Sequence, residues 1–454
     1  MTGARPRYAA RLMPALAALL CVLLAGPVRA ATVSGGQYGE VEVFRPSTTL
    51  RGFVVLFSDM TGWSAADAAA GRRLAAHGML VVGVDSERYA AKLATVKEDC
   101  HFPVGDAENV SHQLQREMGS HAYFSPIIAG IGEGGALAER VLAIAPSNTL
   151  GGAISINPAP TLDARFNPCP PDPTILHDPG LPGFWSIGAT TRPAAPVRAR
   201  AEQVRHEGGR VTIRDFAPGT DEGAMLLALA EPHLGARAPD EQDVSDLPLV
   251  LMPAKSPGAM LAIVVSGDGG WRDLDKTIAQ HLQDWGVSVV GIDSLRYFWN
   301  KKTPRRTADD LARVIRTYTA RWHAGSVALV GYSFGADVLP FAYNRLDPAV
   351  RDKVALMALL GFAPAADFEI RVTGWLGLPP SAEALPVAGE IAKVPPALVQ
   401  CFYGAEESDT ICPSLTKYGM RVIRTAGGHH FGAGYEPLAR QILDRWKARM
   451  ARPD

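Results

Sequence analysis

The stretch VALVGYSFGADVLPFAYNRL, residues 327–346, decides the fold. Its first four residues form an apolar, Val-rich run, the pattern of a strand covered on both faces. Its last ten place Val338, Leu339, Phe341, Ala342 and Leu346 at helical spacing. Between them lies Gly331-Tyr332-Ser333-Phe334-Gly335, a GxSxG pentapeptide. Alone it is a weak pattern. Between a strand and a helix it has the context of a nucleophile elbow, which exposes a serine hydroxyl on a strained turn and offers the backbone N–H of the next residue to a developing oxyanion. Ser333 is therefore the candidate nucleophile and Phe334 one oxyanion donor.

Outward from this stretch the order of elements is strand then helix, repeated. LAIVVSG (261–267) precedes a helix over about 273–285, VSVVGID (287–293) precedes one over about 307–322, and the elbow strand follows. Further strands are expected at KVALMALLG (353–361), PPALVQCFYG (395–404) and MRVIRTAGGHHFG (420–432). The expected fold class is α/β, a doubly wound, mostly parallel sheet of the α/β-hydrolase type. In that fold the triad members follow in the order Ser, acid, His, each on a loop after a later strand. The loop CFYGAEESDTICP carries Glu406, Glu407 and Asp409; Asp409 is favoured because it stands four residues before Pro413, with Glu407 in reserve. AGGHHFG supplies His429 or His430 as the base, His429 being favoured because it directly follows the glycine pair. The second oxyanion donor is expected in SGDGGW (266–271), at Asp268 or Gly269. Asp268, Trp271 and Tyr297 are candidates for lining the substrate pocket. The competing readings are a turn role for Asp268 and packing for Tyr297, Phe298 and Trp299.

The chain of 454 residues is long enough for two domains, and it contains two. FSDMTGWSAADAAAGRRLAAHGMLVVGVDSERY (57–89) aligns without a gap on VSGDGGWRDLDKTIAQHLQDWGVSVVGIDSLRY (265–297), pairing Trp63 with Trp271 and Gly83 with Gly291. A repeat this long is a doubled domain. The charged, Pro-bearing stretch HLGARAPDEQDVSDLP (233–248) separates the copies, giving a first domain over 31–235, a linker over 236–248 and a second domain over 249–454. The first copy reads AGIGEGGA where the second has VGYSFGA, setting Gly132 opposite Ser333. It reads IGATTRPAAP (187–196) where the second has its acid loop, and Asp221 falls opposite His429. All three roles are lost together, so the first domain is expected to be folded and catalytically silent.

Residues 1–30 combine Arg5, Arg7 and Arg11, an apolar run from Leu12 to Ala25 and a small-residue site at Val28-Arg29-Ala30, the pattern of a secretory signal peptide. The apolar run is shorter than the roughly 20 residues a spanning helix needs. A periplasmic protein is expected. Removing the leader takes the net charge from −1 to about −5, since its four arginines go and no acid does, and no nucleic-acid footprint remains. Of five cysteines four lie beyond the leader, Cys100 and Cys169 in the first half, Cys401 and Cys412 in the second. An oxidising compartment favours one disulfide per half. Zinc-ligand spacing is absent, and no metal or cofactor is expected.

SGDGGW, GIDSLRYFW, GYSFGADVLPFAYNRL and GGHHFG together resemble the AcvB/VirJ family of bacterial virulence proteins. The resemblance covers the whole mature chain, since AcvB-like members carry two such domains and VirJ-like members correspond to the second. It implies hydrolysis of lysyl-phosphatidylglycerol at the periplasmic membrane surface, releasing lysine and phosphatidylglycerol, and a link to virulence and to DNA transfer into plants. It carries the family's serine to Ser333, its histidine to the His429-His430 pair and its acid to the loop 406–409. A serine hydrolase with another ester or thioester substrate, and a non-enzymatic accessory factor that docks secretion-machinery proteins, are the competing functions.

Overall fold

In a computed structural model the described residues are 31–451, apart from 98–99, 121, 147, 171–180, 236–243, 245–246, 256–257, 372–380 and 433. The expected leader and most of the expected linker lie outside the described residues. The first sheet is built from β1 (Ala31–Ser34), β2 (Glu40–Phe44), β3 (Gly52–Phe57), β4 (Met79–Val84), β5 (Ile127–Ile131), β6 (Gly152–Ile156), β7 (Phe184–Ala189) and β8 (Arg210–Asp215), in the order β1-β2-β4-β3-β5-β6-β7-β8. The second contains β9 (Leu249–Met252), β10 (Met260–Val265), β11 (Ser288–Ile292), β12 (Ser326–Tyr332) and β13 (Val354–Leu360). A short hairpin of β14 (Ala365–Ala366) and β15 (Leu385–Pro386) follows, before β16 (Val399–Gly404) and β17 (Arg421–Thr425) complete that sheet.

The second sheet has the order β17-β16-β13-β12-β10-β11-β9. Apart from β1, and read from the other edge, this is the order of the first sheet, so the repeat seen in 57–89 and 265–297 extends to the whole topology. In the first sheet β2 pairs antiparallel with both β1 and β4, in the second β9 pairs antiparallel with β11, and every other pairing in the two sheets is parallel. The chain is thus two tandem doubly wound α/β domains of the α/β-hydrolase type. The antiparallel β9 was not legible as a separate strand. It is a short edge strand with a partly exposed face, and its apolar run carries no alternation to mark it.

Parallel strands covered on both faces need apolar side chains on both, and β10, β11, β12 and β13 are buried almost throughout. One face packs on the helices Pro304–Arg321 and Phe334–Tyr343, through Leu311, Val314, Ile315, Val338 and Leu339. The other packs on the helices Asp273–Asp284 and Glu436–Met450, through Ile278, Leu282, Leu438, Ile442 and Trp446. The helix at 304–321 starts three residues before the sequence suggests. Thr303 caps it by accepting the N–H of Arg306, and Pro304 at its first position has no N–H to leave orphaned. Val244, at the far end of the linker, is buried in the core of the second domain. No helix among the described residues is long and apolar enough to cross a membrane.

Trp271 and Trp63 explain why the repeat keeps both a tryptophan and a glycine. A Cβ at Gly291 would lie 2.4 Å from the Trp271 ring, and one at Gly83 would lie 2.3 Å from the Trp63 ring. Each indole therefore lies flat on a strand that can carry no side chain at that point. Trp271 is 2% exposed, so its role is packing and not substrate contact. The same correction applies to Tyr297, which is buried and donates its hydroxyl to Asp310 of the helix Pro304–Arg321 at 2.7 Å.

Candidate active site

Ser333 stands between β12 and the helix Phe334–Tyr343 with φ 50° and ψ −121°, a left-handed backbone that non-glycine residues adopt only when the surroundings force it. The forcing is visible. A Cβ at Gly335 would come within 2.1 Å of the Val265 carbonyl oxygen, so the helix can approach β10 this closely only with glycine there. The glycines of the pentapeptide thus serve helix-to-strand packing, and the strained serine is its consequence.

The Oγ of Ser333 lies 2.9 Å from Nε2 of His429, and Nδ1 of His429 lies 2.6 Å from Oε1 of Glu407. The structure brings together Ser333, His429 and Glu407, and leaves out two expected residues. Asp409 is exposed, two residues beyond Glu407 on a loop that has already turned back: the Thr410 hydroxyl and the Ile411 N–H both donate to the Phe362 carbonyl. The acid beside the histidine is therefore the reserve candidate Glu407, whose second oxygen accepts the N–H of Gly404 at the end of β16. His430 points elsewhere, its Nδ1 pairing with the Tyr332 hydroxyl at 2.9 Å. Gly361 makes room for the relay. Its φ is +63°, and a Cβ there would lie 2.7 Å from Cε1 of His429 and 3.4 Å from Oε1 of Glu407.

Burial of the His429 ring opposes its protonation, but the Glu407 hydrogen bond and the charges of Glu407, Asp409 and Asp268 outweigh it. The imidazole is held above its ordinary value. Asp337, four residues after Ser333 on the elbow helix, was missed by the sequence reading. It is buried, accepts the N–H of Ala363 at 2.8 Å, and burial together with the fields of Asp268, Asp409 and Glu407 pushes its carboxyl well above the usual range. Its i+4 spacing from the serine was the available signal. The surroundings of Ser333 are thus acidic. Among the described residues no group of His, Cys, Asp or Glu is arranged to hold a metal ion.

The first domain shows what its elbow has become. Gly132 has φ 59° and ψ −121°, almost the backbone of Ser333, with no side chain to attack anything. Asp59, which the repeat sets opposite Gly267, accepts the N–H of Glu133 at 2.9 Å, and Glu133 occupies the place of Phe334. The N–H that would face an oxyanion is therefore satisfied by the protein's own carboxylate. Asp221 caps the helix Glu222–Ala230 and pairs with Arg73, so it is no counterpart of His429. In the second domain the position opposite Asp59 is open. A Cβ at Gly267 would lie 3.7 Å from Cβ of Ser333, so the loop at Gly267 and Asp268 faces the nucleophile. A Cβ at Gly269 would lie 2.5 Å from the Arg272 guanidinium, so on that side the loop packs against Arg272.

Disulfides join Cys100 to Cys169 and Cys401 to Cys412. The second has a sequence separation of 11 and closes the loop that carries Glu407. Replacing both of its cysteines by alanine is expected to lower kcat about tenfold in folded protein, since small displacements of a catalytic group cost this much or more. An unchanged kcat would reduce the bridge to a stabilising element.

Residues 259–450 match the family described as bacterial virulence protein (VirJ). Carboxylesterase Culp1 of Mycobacterium bovis is 28% identical over 159 residues, covering 34% of this chain and 69% of that protein, and its Mycobacterium tuberculosis counterpart matches equally. Similar solved structures include Est1E from Butyrivibrio proteoclasticus, with 11% identity, TM-score 0.33, and coverage of 45% of this chain and 93% of that one. A putative dienelactone hydrolase from Klebsiella pneumoniae shows 16% identity, TM-score 0.34, and coverage of 44% and 97%. At such scores these likenesses add nothing to the strand order already described. The family match lies wholly within the half of the chain that carries Ser333, Glu407 and His429, and that half is similar to the bacterial virulence protein (VirJ) family.

Proposed function

We propose that the second domain is a serine esterase that cleaves the aminoacyl ester of lysyl-phosphatidylglycerol at the periplasmic membrane surface. The observation that carries the hydrolase is the relay Ser333–His429–Glu407 on a strained elbow. As His429 Nε2 takes its proton, Ser333 Oγ adds to the lysyl carbonyl carbon, and the carbonyl oxygen becomes an oxyanion facing the N–H of Phe334 and the loop at Gly267 and Asp268. Collapse expels phosphatidylglycerol, whose hydroxyl receives the proton from His429, and leaves lysine as an ester on Ser333. A water deprotonated by His429 then releases lysine and restores the serine. Glu407 holds the ring in the tautomer that accepts at Nε2 and offsets the imidazolium charge.

Three features support this reading. Asp268, Glu407 and Asp409 place negative charge around the nucleophile. The chain resembles a family with this activity, and a relative 28% identical over 159 residues is named a carboxylesterase. The leader-like N-terminus and the two disulfides suit an exported protein. The test is free lysine released from lysyl-phosphatidylglycerol vesicles by residues 31–454. Release by the wild type and none by Ser333→Ala is the expected result. A wild type that takes a fluorophosphonate at Ser333 yet releases no lysine would keep the hydrolase and discard this lipid.

A further inference from the structure

The domain without a nucleophile grips the other one at the segments that surround Ser333. Its helix Pro103–Glu117 carries two of the contacts. Both carboxylate oxygens of Glu108, itself buried, accept Nη1 of Arg272 at 2.9 and 2.8 Å. Two turns further along, Arg116 donates to the carbonyls of Trp299 and Ile370, each at 2.6 Å, and its guanidinium lies 4.0 Å over the Trp299 ring. Trp299 is fully buried at this junction, its indole N–H donating to the Ser120 carbonyl at 2.9 Å and its ring 5.0 Å from that of Tyr123. Asn148 donates to the Trp271 carbonyl at 3.3 Å.

What these contacts hold is specific. Arg272 ends the loop Gly267–Trp271, and its guanidinium lies directly beneath Gly269. At the loop's other end Gly267 backs onto Tyr332 and Ser333. Trp299 follows Phe298, whose ring meets the Phe334 ring edge-on at 4.9 Å, and Phe334 supplies the elbow's N–H. One grip thus ends under the loop that faces the nucleophile, and the other ends one aromatic ring away from the elbow donor.

We propose that the first domain is a positioning device for the second: Glu108 through Arg272, and Arg116 through Trp299 and Phe298, hold the two segments that form the oxyanion site. This rests on the serine-hydrolase reading but not on the choice of lipid. An oxyanion site works only if its donors are fixed before the charge develops, and losing one donor costs about 10²–10³ in kcat. A loop loosened but not lost costs less. Neither Glu108 nor Arg116 touches the substrate, so both are positioning residues.

The test uses residues 31–454 with p-nitrophenyl acetate as substrate, together with fluorophosphonate labelling and thermal unfolding. Glu108→Gln keeps the side-chain shape and removes the charge that Arg272 meets. It is expected to lower kcat about tenfold while KM and the acid limb of the pH profile stay where they are, because substrate contacts and the His429–Glu407 pair are untouched. Folded Glu108→Gln with wild-type kcat overturns the proposal. Should Glu108→Gln unfold near the assay temperature, Arg116→Lys is read in its place: its lysine can satisfy only one of the two carbonyls at a time, a threefold to fivefold lower kcat at constant KM is expected, and a wild-type kcat overturns the proposal equally. A wild type that neither labels nor turns over removes the serine-hydrolase reading and this inference with it, whereas a working wild type with equally fast variants removes the inference alone.

Discussion

Ser333→Ala and His429→Ala are each expected to lower kcat by about 10⁴-fold or more, while His430→Ala stays within about threefold of the wild type. The first two act as one unit. Without the serine no acyl-enzyme can form, and without the imidazole the hydroxyl, 2.9 Å away, keeps its proton at neutral pH. The loss in the double variant should therefore match that of either single one. His430 pairs through Nδ1 with Tyr332 and has no part in the relay, so its removal costs only the packing it gives to the loop. The measurement is steady-state ester turnover alongside fluorophosphonate labelling, which should vanish in Ser333→Ala and slow severely in His429→Ala. A His430→Ala protein as inactive as His429→Ala would overturn the assignment of the base.

The two histidines also show how far a sequence can be read. Position after a strand identified the loop, and Ser333 itself was legible because three levels agree there: an apolar strand, glycines where backbones must touch, and a helix with an apolar face. The doubling was legible because the two copies align without a gap and keep Trp63 with Gly83 and Trp271 with Gly291, pairs in which a Cβ at the glycine would run into the indole. What was not legible is what depends on side-chain direction across non-local contacts. Trp271 and Tyr297 sit in motifs near the site, yet each points into the core. The junction between the domains left no pattern at all. Glu108 and Arg272 are 164 residues apart, and nothing in either neighbourhood names the other.

Glu407→Gln should lower kcat by about 10⁴-fold, whereas Asp409→Asn should stay within a few-fold, and the two should differ in their pH profiles as well. The glutamate oxygen is 2.6 Å from Nδ1 and offers only an acceptor; the amide can flip to present its N–H₂, which stabilises the tautomer with the proton on Nε2, where it cannot receive that of Ser333. Asp409 acts only through its field. His429 must be neutral to act as base, so the acid limb of kcat/KM reports its protonation, and with the imidazole held above its ordinary value of 6.5 that limb should lie above 6.5 in the wild type. Removing a negative charge makes the protonated ring less favourable, so the limb moves to lower pH in both variants. The shift should be larger for Glu407→Gln, which loses a hydrogen bond as well as a charge, and small for Asp409→Asn, whose carboxylate is exposed and screened by water and salt. Since the shift is toward lower pH, the Glu407→Gln defect should shrink as the assay is made more acidic, and Asp409→Asn should show only a slight gain on the acid limb with no loss on the alkaline plateau. A large plateau loss in Asp409→Asn beside a mild one in Glu407→Gln would mean that the loop rearranges when substrate binds and that the acid held by Gly404 in the free protein is not the one that acts.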